Sequence, residues 1–278
     1  MGRRSLVACG NRDTRRVALV ALIASPTPWL ARNSNASSNK SWNYQDSWVG
    51  TCREGRTQSP ILLDDKKLVE SEERVELDID DVPEQIWNAT VTNNSHGSPQ
   101  IDLPKDSCSV MFERERFNLI QIHFHSPSEH LTNDTIFPME THLVLRSHKN
   151  PERLLVIAIL CQIGDKRNTL LEESLDKVPS VDDKGVALDR PIALRSLMTA
   201  SDSRKGRDSS QFYYWYRGSL TTPPCSEPVD WLVQDPAFKT ESITTDQLDR
   251  FLSLSAIPGN ARGIQNLNGR TVRKVYIK

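Results

Sequence analysis

The residues from Leu154 to Cys161 form an unbroken apolar run, Leu-Leu-Val-Ile-Ala-Ile-Leu-Cys, and this run constrains the fold most. A short apolar run of this kind is typical of a strand that is buried on both faces of a sheet. Other short stretches rich in β-branched or aromatic residues, separated by Pro, Gly, Asn and Asp, predict further strands. They cover residues 74–79, 89–93, 109–112, 117–125 and 142–146.

Two segments, 170–178 and 245–253, fit helices, and Thr244 is placed to cap the second. No repeat of 20–50 residues occurs, so a solenoid or propeller is not expected. No linker divides residues 42–278. The residues therefore predict a mainly β (α/β mixed) protein with a single domain and peripheral short helices.

The balance of charges in this 278-residue chain indicates which classes of partner are not expected. It has 35 Lys and Arg against 36 Asp and Glu, which gives a net charge of −1. Binding to nucleic acid or to an anionic membrane surface through bulk charge selects a basic excess, so neither partner is expected. No run of about 18 apolar residues occurs, and we expect no membrane span.

The N-terminal segment predicts a targeting signal. Arginines at positions 3, 4, 12, 15 and 16 precede a short apolar run, Val17–Ala24, which fits a secretory signal over residues 1–31. A disordered tail or a mitochondrial transit peptide is the alternative. The Ser/Asn-rich residues 32–41 predict a disordered linker, and residues 42–278 the folded domain. The protein is therefore expected to be secreted or to enter the secretory pathway.

Two further patterns fit that compartment. Five N-glycosylation sequons begin at Asn35, Asn39, Asn88, Asn93 and Asn133, which predicts a glycoprotein. Of the five cysteines, Cys9 leaves with the signal, and the other four allow three disulfide pairings that the sequence does not distinguish. The chain has no Cys-x-x-Cys, so a cysteine zinc site is not expected.

Three histidines occur at a spacing that suggests a metal site. His123 and His125 alternate with Phe124 in a predicted strand, so both imidazoles lie on one face. His142 opens the next predicted strand, which can pair antiparallel with the first and bring a third imidazole close. Three imidazoles with an open fourth position are typical of catalytic zinc, although imidazole also suits copper, nickel and iron.

The neighbours of these histidines favour the metal interpretation over three unrelated core or surface histidines. Gln121 and Glu140 lie two residues before His123 and His142, so each shares the face of its histidine. A metal-bound imidazole usually donates its other N–H to such an acceptor. All six histidines also fall between His96 and His148, which favours a shared site.

Four ordered motifs extend this pattern over nearly the whole predicted domain. They are Gln58-Ser-Pro-Ile61, the segment from Gln121 to His130 (QIHFHSPSEH), Met139-Glu-Thr-His-Leu-Val144, and the segment from Gly218 to Cys225 (GSLTTPPC). With these motifs the chain resembles an α-class carbonic anhydrase, in particular the secreted, short-loop members from plants, bacteria and protists. The resemblance implies a central, twisted, mostly antiparallel sheet of ten strands.

The resemblance also implies a role for individual residues. His123, His125 and His142 bind Zn²⁺, while Gln121, Glu140 and Asn260 support these ligands. Thr221 accepts a hydrogen bond from the zinc hydroxide and donates one to Glu129. His96 matches the proton shuttle. The residues that match the substrate pocket are Val144, Val156, Leu220, Thr222 and Trp231.

Other positions match less directly. Cys52 and Cys225 match a disulfide of secreted members, whereas Cys108 and Cys161 match none. Pro99 falls where the family usually has a polar pocket residue, and a shift of one residue would place Gln100 there instead.

The resemblance thus implies a zinc-dependent lyase that converts carbon dioxide to bicarbonate and a proton, with an esterase side activity. Its partner is this small substrate, and related proteins allow a homodimer. A catalytically dead binding module is the main alternative, but the three histidines, Glu129 and Thr221 are all present. A secreted metal hydrolase of another class is disfavoured because the chain has no His-Glu-x-x-His segment.

Overall fold

A computed structural model describes residues 45, 48–70, 75–94, 98–180, 183–198, 211–254 and 259–277. Within these ranges the chain forms four short α-helices and fifteen short strands. The helices are α1 Thr51–Glu54, α2 Thr169–Lys177, α3 Arg195–Met198 and α4 Thr245–Leu254. The strands are β1 Leu62–Leu63, β2 Val69–Glu70, β3 Leu77–Asp78, β4 Thr90–Asn93, β5 Pro99–Asp102, β6 Ser109–Phe112, β7 Glu115–His125, β8 Leu131–Thr132, β9 Met139–Ser147, β10 Leu154–Ile163, β11 Val186–Ala187, β12 Gln211–Gly218, β13 Val229–Gln234, β14 Glu241–Ile243 and β15 Arg273–Ile277.

One large mixed sheet dominates the described residues, as the fold class predicted. Ten strands follow the order β11-β4-β5-β7-β9-β10-β13-β12-β15-β2. β14 pairs with β10, and β3 with β6, which pairs with β7, so that thirteen described strands belong to the sheet. Most pairs are antiparallel, and the parallel exceptions are β10 with β13, β10 with β14, and β15 with β2. The three additional strands lie off the ten-strand path.

The apolar run in β10 is buried on both faces, as its sequence predicted. Leu155, Ile157 and Ile159 pack into one hydrophobic cluster, which also contains side chains of α2, α3 and α4. Val156 and Ala158, which alternate with them, pack into a second cluster with Trp231. Because successive side chains of a strand point to opposite faces, β10 separates the two clusters. The second cluster shares its sheet face with the histidines.

The two predicted helices begin and end close to the expected residues. Residues 170–178 were expected and α2 covers Thr169–Lys177, while α4 extends over Thr245–Leu254. The side chain of Asn168 caps α2 by accepting a hydrogen bond from the N–H of Leu171, and Thr244 Oγ1 accepts one from the N–H of Gln247. Among the described residues, no helix has the length and apolar character needed to cross a membrane.

The expected signal (1–31) and linker (32–41) lie outside the described residues, as does His96.

Candidate metal centre

Antiparallel pairing of the two longest neighbouring strands brings the three histidines together. His123 of β7 lies directly opposite His142 of β9, and His125 follows His123 by two residues on the same face. The ring centroids are 5.0 Å apart for His123 and His125, 5.1 Å for His123 and His142, and 4.6 Å for His125 and His142. One nitrogen from each ring lies within 4.8 Å of the other two.

Each imidazole is oriented by a hydrogen bond at its other nitrogen. His123 Nδ1 lies 2.9 Å from Gln121 Oε1, and His142 Nε2 lies 2.8 Å from Glu140 Oε1. His125 Nδ1 lies 3.2 Å from the backbone carbonyl oxygen of Asn260. An acceptor at one ring nitrogen fixes the proton there and leaves a lone pair on the other, which is the tautomer a metal needs.

Burial favours neutral imidazoles at the centre. It lowers the pKa of His125 to about 4, against the opposing effect of the Glu140 carboxylate, and it also lowers the pKa of His142. His125 Nε2 is buried and has no hydrogen-bond partner among the described residues. Such a buried polar atom is costly unless it has a partner, and a bound cation provides one. Three neutral nitrogen donors fit zinc.

The side chain of Asn260 also binds the backbone on either side of His125, at the end of β7. Its side-chain Nδ2 donates to the carbonyl of Phe124 at 3.0 Å, and its Oδ1 accepts from the N–H of Ser126 at 2.9 Å. The preceding Gly259 has φ +97°, and a Cβ there would lie 2.7 Å from the carbonyl oxygen of Ser126. A glycine is needed at this close approach, which lets Asn260 reach both sides of His125.

Glu140 belongs to a buried hydrogen-bond network that the sequence did not indicate. Besides His142, it accepts from His130 Nδ1 at 2.7 Å and from the His130 backbone N–H at 2.8 Å. His130 Nε2 lies 2.7 Å from the Tyr216 hydroxyl, which is hydrogen-bonded to Ser59 at 2.9 Å. Burial favours a raised pKa for Glu140, but His130 and His142 outweigh it and hold the pKa well below its usual value.

The residues that orient Glu140 in this network were not predicted from the sequence. His130, Tyr216 and Ser59 orient Glu140, which in turn orients His142. His130 occurs in the QIHFHSPSEH segment but lies beyond the predicted strand 117–125, so only the three-dimensional contact reveals its role. Although His130, Glu140 and His142 are close enough to hold a cation, their facing atoms are already joined by hydrogen bonds.

Glu129 is a second buried carboxylate beside the histidines. Its Oε1 accepts from the backbone N–H of Arg262 at 2.8 Å, and its Oε2 lies 3.9 Å from His142 Nδ1. Burial raises the pKa of Glu129 to about 7, although His142, the Arg262 N–H and the Thr221 side chain act in the opposite direction. Thr221 is buried as well. Glu129 Oε2 is buried without a hydrogen-bond partner among the described residues, so the expected hydrogen bond from Thr221 stays a prediction.

A disulfide and two hydrogen bonds hold the segment that carries Thr221. Cys52 and Cys225, which the family resemblance paired, are bonded to each other, whereas Cys108 and Cys161 are free and buried. The N–H of Ser219 donates to Ser59 Oγ at 3.0 Å, and Trp231 Nε1 donates to the Ser219 carbonyl at 3.0 Å. Both ends of the segment are thus fixed.

The expected pocket residues form an apolar wall beside the histidines. Val144 lies opposite Val156 in the β9–β10 pair, and Val156 lies opposite Trp231 in the β10–β13 pair. All three pack into the second hydrophobic cluster, against which the half-buried Leu220 also packs. The Trp231 ring is 5.0 Å from the His142 ring. Thr222 is half-buried, and its carbonyl accepts from the N–H of Cys225.

The choice between Pro99 and Gln100 is decided by strand register. Gln100 lies directly opposite His123 in the β5–β7 pair, whereas Pro99 pairs with Asn93 of β4. Residues opposite each other in a sheet share a face, so Gln100 is on the histidine face. Its Nε2 donates to Asp102 Oδ1 at 2.7 Å, and Thr92 donates to Asp102 Oδ2 at 3.0 Å.

Comparison with known proteins places this arrangement among related chains. The family model for eukaryotic-type carbonic anhydrase matches residues 37–276. A carbonic anhydrase of Pectobacterium atrosepticum is 31% identical over 252 residues, which cover 86% of this chain and 93% of that protein. Alpha carbonic anhydrase 4 of Arabidopsis thaliana is 29% identical over 255 residues, with 88% and 85% covered.

A solved structure agrees with these sequence matches. The carbonic anhydrase Cah3 of Chlamydomonas reinhardtii, in complex with acetazolamide, superimposes with a TM-score of 0.71 at 27% identity. The match covers 88% of this chain and 99% of that one.

Proposed function

Since this chain belongs to the eukaryotic-type carbonic anhydrase family, we propose that it catalyses the reversible hydration of carbon dioxide to bicarbonate and a proton. The observation that carries the proposal is the convergence of three imidazole nitrogens within 4.8 Å of one another. We assign His123, His125 and His142 as zinc ligands. Zinc bound there supplies a Lewis acid that lowers the pKa of a coordinated water, the chemistry for which carbonic anhydrases are the reference case.

The supporting residues keep each imidazole neutral and aimed. Gln121, Glu140 and the Asn260 carbonyl each accept a hydrogen bond from one histidine, so that the N–H of each ring points away from the centre. His130 and Tyr216 hold Glu140 in place from the other side. In this proposal their contribution is to metal affinity and orientation, because none of them reaches the substrate.

Glu129 and Thr221 determine the direction of a hydrogen bond beside the three histidines. Glu129 accepts from the Arg262 N–H and, in our proposal, also from the Thr221 hydroxyl. Thr221 Oγ1 then has no proton left to donate and can only accept a hydrogen bond from the attacking water. A lone pair of that water is thereby kept available for the carbon of carbon dioxide.

The apolar wall suits an uncharged substrate. Val144, Val156, Leu220 and Trp231 offer no strong hydrogen-bonding group toward it, since the Trp231 N–H is taken by Ser219. A small apolar molecule needs only a dry surface close to the nucleophile. We assign Thr222 to binding of the bicarbonate product on the family resemblance. Activated esters carry a similar electrophilic carbon, which supports a side esterase activity.

The proton has to leave the site, and His96 is assigned as its carrier on the family resemblance alone. An imidazole has an unperturbed pKa near 6.5, which suits exchange with buffer at neutral pH. His96→Ala is expected to lower turnover in dilute buffer and to be rescued by added imidazole. An unchanged rate in dilute buffer would reject the assignment.

We further propose that residues 1–31 direct the chain into the secretory pathway and that 32–41 link them to the enzyme domain over 42–278. The disulfide between Cys52 and Cys225 is in keeping with an oxidising compartment.

The test of the function pairs metal content with catalysis. The purified full chain is expected to bind one zinc per molecule and to hydrate carbon dioxide, followed with a pH indicator in stopped flow. His125→Ala is expected to lose both, because it removes a buried ligand. His148→Ala, at an exposed histidine outside the centre, serves as the matched control and should retain both. A His125→Ala protein that kept its zinc would exclude this ligand set, and zinc without hydration would favour a binding module.

A further inference from the structure

Three of the five sequon asparagines, Asn88, Asn93 and Asn133, lie in the described residues, and their side-chain environments differ. N-linked transfer adds a sugar to the side-chain amide nitrogen of asparagine in Asn-x-Ser/Thr. A folded protein can carry the glycan only where this nitrogen is accessible and not needed for structure. The environment of each amide therefore distinguishes the sequons.

The Asn133 amide is part of a reciprocal pair with Asp65. Asn133 Oδ1 accepts from the backbone N–H of Asp65 at 2.9 Å, while Asn133 Nδ2 donates to Asp65 Oδ2 at 2.7 Å. Two parallel hydrogen bonds from Oδ1 and Nδ2 to one residue use the amide hydrogen on the same side as Oδ1. A glycosidic carbon takes that position, as the Cα does in a trans peptide. A glycan on Asn133 would therefore replace the hydrogen that binds Asp65.

The pair also has a structural purpose that accounts for the asparagine. Asp65 accepts a further hydrogen bond from the Tyr214 hydroxyl at 3.0 Å, and Asn133 donates its backbone N–H to the carbonyl of Leu63. Asn133 has φ 48°, a conformation that asparagine tolerates better than most residues. Modification at this position would disturb the contact between the β1 and β8 segments.

The Asn93 amide is engaged as well. Asn93 is half-buried in β4, where it pairs with Pro99 of β5, and its Nδ2 donates to the carbonyl of Pro179 at 3.1 Å. This bond joins β4 to the segment after α2. A sugar on Nδ2 would have to fit against Pro179 in a partly buried space.

Asn88 differs from both in its side chain, which makes no hydrogen bond to any described residue. Like Asn133 it is exposed and has a positive φ, 61°. Its backbone surroundings are nevertheless fixed: Ile86 and Ile192 exchange two backbone hydrogen bonds, and the Leu188 N–H donates to the Ala89 carbonyl. The neighbouring Trp87 is also exposed, at 56%.

From these contrasts we propose that Asn88 is an N-glycan attachment site and that Asn93 and Asn133 are unmodified in the folded protein. The bond formed joins Asn88 Nδ2 to the anomeric carbon of a lipid-linked oligosaccharide, the lipid pyrophosphate leaves, and one amide proton is released. This modification is independent of the proposed catalysis, because Asn88 precedes β4 and belongs to none of the assigned ligands or pocket residues.

The test follows occupancy at each site. The full chain, secreted by insect cells behind an added cleavable signal sequence, is treated with a peptide-N-glycosidase in ¹⁸O-labelled water and mapped by mass spectrometry. We expect the label at Asn88 and none at Asn93 or Asn133. An unlabelled Asn88 in the secreted protein, or a label at Asn93 or Asn133, would overturn the proposal.

Two variants separate attachment from folding. Asn88→Asp keeps the size of the side chain and tolerates the positive φ, so it should be secreted without the glycan and with unchanged carbon dioxide hydration. Thr90→Ser retains the sequon and should keep the glycan. If Asn88→Asp showed the same gel mobility as the unchanged chain before and after glycosidase treatment, Asn88 would carry no glycan.

Discussion

Removing the disulfide between Cys52 and Cys225 should cost a large part of the stability of this protein. The two cysteines are 173 residues apart in the sequence. In the chain-entropy model a cross-link reduces the entropy of the unfolded chain by about 2.1 + 1.5R ln n cal/mol/K, where n is the loop length. For this loop the effect is about 5 kcal/mol at 25 °C. The total free energy of unfolding of a domain is about 5–15 kcal/mol.

The assay is urea unfolding of the double variant Cys52→Ser/Cys225→Ser, followed by tryptophan fluorescence and extrapolated to water. A free energy of unfolding lower by about 2–5 kcal/mol is expected, because measured values fall at or below the model. Cys108→Ala, which removes a buried thiol that forms no disulfide, is the matched control. Reductant should destabilise the unchanged protein and leave the double variant unaffected.

The same double variant tests whether zinc binding and turnover depend differently on the disulfide. The three histidines lie on β7 and β9, whereas the disulfide joins α1 to the segment that carries Thr221. Zinc content should therefore stay at one per chain in the folded variant while turnover falls. If the double variant were as stable as the unchanged protein to within about 1 kcal/mol, or lost zinc while folded, this reasoning would be refuted.

Three further substitutions test the site and its support. Asn260→Ala leaves the Ser126 N–H without its side-chain partner, whereas the Phe124 carbonyl still accepts from Ser98 Oγ, so unfolding should become easier by about 1–3 kcal/mol. Zinc affinity in a chelator competition should fall about 10- to 100-fold, and an unchanged affinity would contradict the positioning of His125. Gly218→Ala should lower the thermal midpoint by several degrees, since the new Cβ would overlap Ser59 Oγ and lie 2.8 Å from the Tyr216 ring; a midpoint equal to that of the unchanged protein would refute this close packing. In Glu172, burial favours a raised pKa, but hydrogen bonds from Arg250, Gln247 and Arg167 lower it below 4.5. The stabilisation is therefore present above the unfolded-state pKa and is lost as pH falls through the native one. In urea titrations Glu172→Gln should cost about 0.5–1 kcal/mol at pH 7 and progressively less as pH falls below 4.5. A cost that did not depend on pH would count against this role of Glu172.

Local sequence patterns determined the strands that carry the histidines. Alternation in β7 was enough to place His123 and His125 on one face, and the continuous apolar run in β10 predicted burial on both faces. These patterns are informative because a strand repeats every two residues whatever lies around it. Local patterns did not predict the ligand set or the disulfide pairing. Both predictions depended on the resemblance of four ordered motifs to a known family.

Tertiary structure alone decided which groups orient those ligands. His125 hydrogen-bonds to Asn260, 135 positions away in the sequence, and His130 reaches Tyr216 across 86 positions. The register of β5 against β7 placed Gln100, and not Pro99, opposite His123. Contacts of this kind depend on where separate strands and loops pack in space, so no periodicity within one segment encodes them. The sequence by itself therefore determined which imidazoles share a face, and the packed sheet decided how each is held.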